Sequence, residues 1–289
     1  MQQSQGIAKQ ETVEGGTGLN IFFRSWRPSE KPHATILIIP GFNAHSGYYE
    51  WVAAQFVADG LAVYAVDLRG RGRSDGERFY VTSFEDYVSD VEAVMAVVKS
   101  CEQGVPIFLL GHSAGGVVAC LYALDHQPEL TGLLSESFAH ELPAPDFALA
   151  VFKGLSHVAP HAHILHLPNE RFSRDPQVVD AMNNDPLIAH ETQPTQTMAA
   201  MVRADERLKK EFPLITLPVL ILHGTADKNT RPSGGQHFYE MVGSTDKTLK
   251  LYEGGFHDLL NDIDKTLVIS DIKNWINVHL LAAVSGGSK

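Results

Sequence analysis

Short apolar runs alternate along the chain with longer segments in which apolar residues recur every three or four positions. We predict strands at Ile21–Trp26, Ala34–Ile39, Leu61–Leu68, Ile107–Leu110, Thr131–Ser135, Pro218–Leu222 and Thr248–Tyr252. Of these, Ala34–Ile39 is a continuous apolar run typical of a strand buried on both faces. Helical spacing predicts helices over Tyr48–Ala58, Phe84–Cys101, the Ala- and Val-rich residues after Gly116, Gly235–Val242 and Lys265–Leu280. This alternation predicts an α/β fold with a mostly parallel central sheet and helices on both faces.

The alternation is interrupted between residues 140 and 203, which are rich in Pro, His and Ala. We interpret residues 140–203 as an inserted helical cap, and residues 1–139 and 204–289 as one large core domain. The apolar cap segment Phe147–Phe152 has two interpretations, which stay open. It either packs inside the cap, or it lines a substrate tunnel or makes a transient contact with a lipid surface.

The charge balance bears on partners. The chain has 34 acidic and 23 basic residues, a net charge of -11, which disfavours nucleic acid and anionic membrane surfaces as partners. No apolar run approaches the roughly 20 residues that span a bilayer, and the first residues do not resemble a secretory signal, so we expect a cytoplasmic protein. We interpret Cys101 and Cys120 as buried thiols in a reducing compartment. The oligomeric state is not indicated.

Candidate chemistry centres on the stretch from Ile107 to Leu121, where a strand pattern stops at GHSAGG and a helix pattern follows at once. The spacing G-x-S-x-G places Ser113 on a tight turn between strand and helix, with small residues at 111 and 115 that allow both elements to approach closely. This arrangement exposes a serine hydroxyl at the end of a sheet.

A serine becomes a good nucleophile only beside a base that a third group orients. Asp227 and His257 each follow a predicted strand, and the order Ser113, Asp227, His257 is expected when nucleophile, acid and base meet at the carboxyl edge of such a sheet. Alone, each has a structural interpretation: a turn, a helix cap or an exposed histidine. Together, their placement at three strand ends favours a catalytic triad.

Three other residues compete for the roles of acid and base. His112 should face away from its neighbour Ser113, His223 precedes the acid in the chain, and Asp258 is adjacent to His257 and reaches its ring with difficulty. We therefore favour Asp227 and His257.

The same chemistry needs donors for the oxyanion of a tetrahedral intermediate. The backbone NH of Ala114, at the start of a helix, is the first candidate, since the helix dipole there favours negative charge. The loop after Ala34–Ile39 supplies the second, the NH of Phe42.

Two further clusters invite ligand sites. Arg69, Arg71 and Arg73 alternate with glycines in a loop that we interpret as solvated rather than as a phosphate site. The histidines between residues 157 and 166 lack a clear carboxylate or cysteine partner, so we expect no functional metal there, and triad hydrolysis requires neither metal nor cofactor.

The chain resembles the α/β-hydrolase superfamily, and within it the monoacylglycerol lipase branch of serine hydrolases. The resemblance is carried by GFNAHSGYYE (41–50), DLRGRGRSDG (67–76), GHSAGG (111–116), NNDPLI (183–188), LILHGTADK (220–228) and KLYEGGFHDLLND (250–262). It implies an α/β-hydrolase fold and hydrolysis of a small-molecule or lipid ester. In that reaction Ser113 is the nucleophile, His257 the base and Asp227 the orienting acid, with the NH groups of Phe42 and Ala114 binding the oxyanion.

The chain departs from the family pattern at two places. Pro40 stands where the family usually has histidine, and Glu136, His140 and Glu141 stand where relatives tend to be more apolar, which predicts a more polar pocket. A broad esterase on non-glyceride esters, including polyesters, therefore remains an alternative. So do a thioesterase, peptidase or acyltransferase of the same fold, and a noncatalytic ligand-binding relative.

Overall fold

The structure is a computed structural model that describes residues 8–140, 151 and 153–286. The first half contains β1 (Lys9–Glu14), β2 (Asn20–Trp26), β3 (Ala34–Ile39), α1 (Glu50–Ala58), β4 (Leu61–Val66), α2 (Phe84–Cys101), β5 (Ile107–His112), α3 (Ala114–His126) and β6 (Gly132–Glu136). The second half contains β7 (His163–His166), α4 (Pro176–Asn183), β8 (Thr192–Pro194), α5 (Thr195–Glu211), β9 (Val219–Gly224), α6 (Pro232–Met241), β10 (Lys247–Tyr252) and α7 (Lys265–Gly286).

Eight strands of the described chain form one sheet in the order β1-β2-β4-β3-β5-β6-β9-β10. The first two strands are antiparallel to their neighbours, and every pair from β4 onward is parallel. The predicted mostly parallel sheet is therefore confirmed. Because its parallel strands all end at one edge, the loops that follow β3, β5, β9 and β10 meet there.

The helices cover both faces of this sheet, as predicted. Leu37 and Ile39 of β3 pack into the apolar core that contains α2 and α3, whereas Ile36 and Ile38 pack into the core that contains α1 and α7. Such alternation follows from the two-residue period of a strand. It explains why β3 is apolar at five of its six positions and buried at all six.

Local signals place the ends of several elements. Ser83 and Asp86 form the predicted capping box, in which each side chain binds the other residue's backbone NH at the start of α2. Strand β1 has no counterpart in the prediction, because its sequence KQETVE is mostly polar and its side chains are largely exposed. Backbone pairing with β2 forms it instead.

The predicted burial of both cysteines is wrong for one of them. Cys120 is buried in α3, but Cys101 is exposed. The buried stripe of α2 continues from Val98 to Glu102, whose carboxylate accepts hydrogen bonds from Tyr64 and Arg27. The last helical residue, Cys101, is consequently turned towards solvent.

The chain between β6 and β9, called the inserted layer below, contains a two-stranded antiparallel sheet of β7 and β8. Its helix α5 packs into the same apolar core as α2 and α3. The division into core and cap stays a prediction; its boundary after residue 203 lies within α5. Of the apolar segment 147–152, the structure describes Val151 alone, which is 57% exposed, and the rest lies outside the described residues. Within the described ranges, no helix combines the length and apolarity needed to cross a bilayer.

Candidate active site

The turn between β5 and α3 holds Ser113 in a sparsely populated backbone conformation, with φ 56° and ψ -119°. Two glycines permit this turn. A β-carbon on Gly111 would lie 2.4 Å from the carbonyl oxygen of Gly115, and one on Gly115 would meet the end of β3. The G-x-S-x-G spacing is therefore a packing requirement, and it leaves the serine side chain at the carboxyl edge of the sheet.

Asp227 and His257 approach Ser113 from the loops after β9 and β10. The Nε2 atom of His257 lies 2.8 Å from Oγ of Ser113, and its Nδ1 atom lies 2.7 Å from Oδ2 of Asp227. All three side chains are buried. The structure thus brings the three predicted residues into one hydrogen-bonded chain, with a geometry suited to withdrawing a proton from the serine hydroxyl.

The carboxylate of Asp227 is held by several donors. Oδ1 accepts from the backbone NH groups of Asn229 and Thr230, at 2.8 and 3.1 Å, and Oδ2 accepts from Oγ1 of Thr230 at 2.7 Å. Burial alone would raise the pKa of Asp227, but the charge of His257 and hydrogen bonds from His223 and His257 outweigh it and lower the pKa far below its usual range. The carboxylate is ionised and fixed in direction.

Sequence reasoning did not find two of these partners. His223 was considered as a competing base, yet its Nε2 atom lies 3.2 Å from Oδ2 of Asp227 and supports the acid. Thr230 carries no signal beyond its position three residues after Asp227, where a turn residue can bind the aspartate side chain. Both side chains are buried.

The predicted oxyanion donors lie on either side of the serine. Ala114 begins α3, for which Ser113 is the N-cap, and Gly41 is so close that a β-carbon there would lie 2.7 Å from Cβ of Ser113. Phe42 follows in the same loop. In the part of the chain that is described, the NH groups of Phe42 and Ala114 donate to no protein acceptor, which leaves them available to a ligand atom at Ser113.

His112 and Asp258 lie behind the site rather than in it. The Nε2 atom of His112 is 3.3 Å from the carbonyl oxygen of His257, and burial together with the charge of His257 lowers the pKa of His112 to about 3. Asp258 accepts from the side chain of Asn261. Neither residue contacts the serine hydroxyl, which agrees with the sequence analysis, where both were disfavoured as acid or base.

The polar residues at the end of β6 and just after it bind other groups of the protein. Glu136 and His140 are fully buried; Glu136 accepts from the NH of Leu260 at 3.0 Å, and His140 binds Asp205 and His237. Their burial does not support the predicted polar pocket at these two positions. Glu141 lies outside the described residues.

One buried group within the described ranges has metal-binding residue types close together. Ligand atoms of His112, Glu136 and Asp258 lie within 4.8 Å of one another. Burial and the charge of Asp258 raise the pKa of Glu136 well above its usual range, and burial also raises that of Asp258. Burial and the repulsion between two neighbouring carboxylates both favour the protonated form of Glu136.

The arginine loop is largely buried, so the prediction of a solvated loop is wrong. Arg69 makes two hydrogen bonds to Asp90, at 2.6 and 2.7 Å, and Arg71 is 1% exposed, whereas Arg73 is exposed. Arg69 and Arg71 are held in the interior by ion pairs with buried carboxylates. Their burial could not be predicted from residue type, because most arginines are exposed.

The histidines between residues 157 and 166 have dispersed partners. Nδ1 of His161 lies 2.7 Å from Glu77, while His163 and His166 bind Thr192 and the carbonyl oxygen of Glu191. They do not converge on one point.

Residues between β6 and β9 contact the site directly. The ring of Phe172 meets the ring of His257 edge-on, with centroids 5.1 Å apart, and the carbonyl oxygen of Phe172 accepts from the NH of Asp258 at 2.8 Å. Asp185 accepts from Oη of Tyr48 at 2.7 Å and lies 2.8 Å from Nε2 of His45. The loop after β3 and the loop after β10, which carries His257, are thus both attached to this layer.

A groove of about 1090 Å³ lies beside the site, between α1 and α4. Trp51, Met182 and Asp258 are among the residues that line it, and Ser113 is not. The hydrogen-bonded chain of Ser113, His257 and Asp227 therefore lies outside this groove.

The chain is similar to known hydrolases in sequence and in fold. A family profile described as serine aminopeptidase, S33 matches residues 30–264. The monoacylglycerol lipase of Mycolicibacterium smegmatis is 30% identical over 94% of this chain and 98% of its own, and human monoglyceride lipase is 33% identical over 92% and 89%. The structure of a soluble variant of monoglyceride lipase from Saccharomyces cerevisiae superposes with a TM-score of 0.84, at 22% identity and 96% coverage of both chains.

Proposed function

Because this chain belongs to the serine aminopeptidase S33 family of α/β-hydrolases, we propose that it hydrolyses monoacylglycerol-like carboxylic esters through an acyl-enzyme on Ser113. The predicted fold and the coarser prediction of an ester-hydrolysing serine hydrolase are both confirmed by the relatives. The triad, the oxyanion donors, the preferred ester and a cytoplasmic location are the finer parts of the proposal.

The observation that carries the proposal is the 2.8 Å distance between Oγ of Ser113 and Nε2 of His257. With Nδ1 protonated and donating to Asp227, Nε2 is free to accept the serine proton as Oγ attacks the ester carbonyl. The imidazolium then delivers that proton to the leaving alcohol. Water, activated by His257 in the same way, cleaves the acyl-enzyme and releases the acid.

Charge develops on the former carbonyl oxygen during both steps. The NH groups of Phe42 and Ala114 supply two donors, and each such donor is worth about a hundredfold to a thousandfold in rate. Asp227 stays ionised throughout, which stabilises the imidazolium and keeps the ring in the productive tautomer.

The direct test is Ser113→Ala with a fluorophosphonate probe and a soluble ester. We expect the variant to lose labelling and turnover, while Ser100→Ala, an exposed serine on α2, behaves like the wild type. Wild-type turnover and labelling in Ser113→Ala would reject the proposal. Labelling of the wild-type serine also excludes a noncatalytic ligand-binding protein.

Substrate class needs a separate experiment. Ester, amide and thioester substrates with matched acyl groups separate an esterase from a peptidase or thioesterase. A panel of emulsified monoglycerides, diglycerides and polyesters with soluble esters of graded acyl length then tests glyceride preference. We expect a sharp optimum for monoglycerides; a flat profile would indicate a general esterase.

A further inference from the structure

Arg71 is a buried cation between the loop that carries Phe42 and the layer inserted between β6 and β9. Its side chain is 2% exposed, and the central carbon of its guanidinium lies 4.1 Å from the centroid of the Phe42 ring. Burial opposes the charge, but the neighbouring Glu191 outweighs it and keeps the pKa of Arg71 above its usual value. The group is therefore a permanent cation on an aromatic face.

The other side of the guanidinium is bound by residues at β8. Nη1 donates to Oε1 of Glu191, and Nη2 donates to Oε1 of Gln193 at 2.8 Å. Nε2 of Gln193 in turn donates to Oε1 of Glu191 at 2.8 Å. The three side chains are almost fully buried, so strand β8 and Arg71 are fixed relative to one another.

A second contact fixes the same loop to the same layer. Asn43, with φ 53°, directs its Nδ2 atom to the carbonyl oxygen of Leu167 at 3.1 Å and to Oδ1 of Asn169 at 2.9 Å. Phe42 therefore lies between two fixed neighbours: Gly41, which packs on Ser113, and Asn43, which is hydrogen-bonded to the inserted layer. The direction of the Phe42 NH therefore depends on the positions of both Gly41 and Asn43.

We propose that Arg71 is a positioning residue that aligns the Phe42 NH with the oxyanion by fixing the Phe42 ring to strand β8. This inference rests on the proposed function and deepens it, since it makes one oxyanion donor dependent on the inserted layer. A misaligned donor weakens binding of the transition state more than binding of the ester, so its loss should lower kcat with little change in KM.

The test requires a variant that does not leave a buried charge without a partner. Replacing Arg71 alone would leave the buried carboxylate of Glu191 without its cation, and an uncompensated buried charge is strongly destabilising. The double variant Arg71→Met/Glu191→Gln removes both charges and keeps side chains of similar length. Arg73→Met, an exposed arginine of the same loop, is the matched control.

We expect the double variant to lose about tenfold or more in kcat on a soluble ester, with KM within about twofold of wild type. Its affinity for a boronic acid that forms a tetrahedral adduct with serine should fall in parallel, and Arg73→Met should match the wild type. Unchanged kcat and boronate affinity in the folded double variant would overturn the inference and leave the proposed function intact. Absence of ester turnover in the wild type would instead overturn the proposed function.

Gln193→Leu provides a second variant should the double variant fail to fold. It removes the 2.8 Å hydrogen bond to Nη2 and leaves the ion pair in place. A smaller fall in kcat, again without a matching change in KM, supports a positioning role. Unchanged kcat together with a lower melting temperature would show that the cluster is only structural.

Discussion

Gly115 packs so closely against Ile39 that a β-carbon on residue 115 would lie 2.1 Å from the carbonyl oxygen of Ile39. This contact joins the first turn of α3 to the end of β3. Ser113 precedes α3 and Phe42 follows β3. The distance between the nucleophile and the proposed oxyanion donor therefore depends on residue 115 having no side chain.

Gly115→Ala should therefore impair activity as well as stability. The clash involves backbone atoms that cannot rotate away, and overpacking of this kind costs about 1–3 kcal/mol. We expect a lower free energy of unfolding in urea and a large loss of ester turnover. Gly154→Ala is the control, because a β-carbon there meets no atom within 4 Å; equal effects in both variants would contradict the explanation.

Asp227→Asn should lower turnover by about ten-thousandfold while the fold is retained, because an amide at residue 227 favours the unproductive histidine tautomer. The NH donors of Asn229 and Thr230 still have an oxygen to bind. Steady-state kinetics with a soluble ester measures the effect, and Asp125→Asn on the exposed side of α3 serves as control. A rate near wild type would assign the acid to another residue.

The buried Glu136 predicts a pH-dependent stability. Its pKa is raised by burial and by Asp258, so the folded protein keeps a proton that the unfolded chain releases above about pH 4.3. This contribution is fully present below that pH and is lost as pH rises towards the folded pKa, by about 1.4 kcal/mol per pH unit for one proton.

Glu136→Gln cannot ionise and keeps an oxygen for the NH of Leu260. We expect its stability relative to wild type to increase as pH is raised from 5 to 8. Urea unfolding of both proteins across that range measures the difference. A difference that does not vary with pH would mean that Glu136 is already ionised in the folded state.

The two cysteines should differ in reactivity. Cys101 is exposed, whereas Cys120 is buried in α3, where burial raises the pKa of the thiol and suppresses the reactive thiolate. We expect a thiol reagent to label one cysteine in the native protein and both in denaturant. Cys101→Ser should abolish native labelling, and persistent labelling would place Cys120 in an accessible site.

The sequence predicted those features that depend on local pattern. The capping box at Ser83, the apolar run of β3 and the glycines beside Ser113 each act over a few residues, so their roles are readable from spacing. Asp227 and His257 could be predicted because parallel strands end at one edge of the sheet, so residues that follow different strands lie close together there.

The remaining features depend on partners distant in the chain. Arg71 was expected in solvent because its partners, Glu191 and Gln193, lie about 120 residues away. Strand β1 was missed because pairing with β2, and not its own side chains, makes it a strand. Thr230 and His223 support Asp227 through a turn whose geometry the residue types do not specify.

Strands β6 and β9 are hydrogen-bonded neighbours, although the whole inserted layer separates them in the chain. The chain thus leaves the sheet after β6 and re-enters it at the adjacent strand, so the register of β6 and β9 is set by their own pairing. Exchange of this layer between relatives is limited instead by the core side chains of α5 and by the polar contacts that cross to the loops after β3 and β4. A transplanted layer would have to supply its own counter-charge for the buried guanidinium.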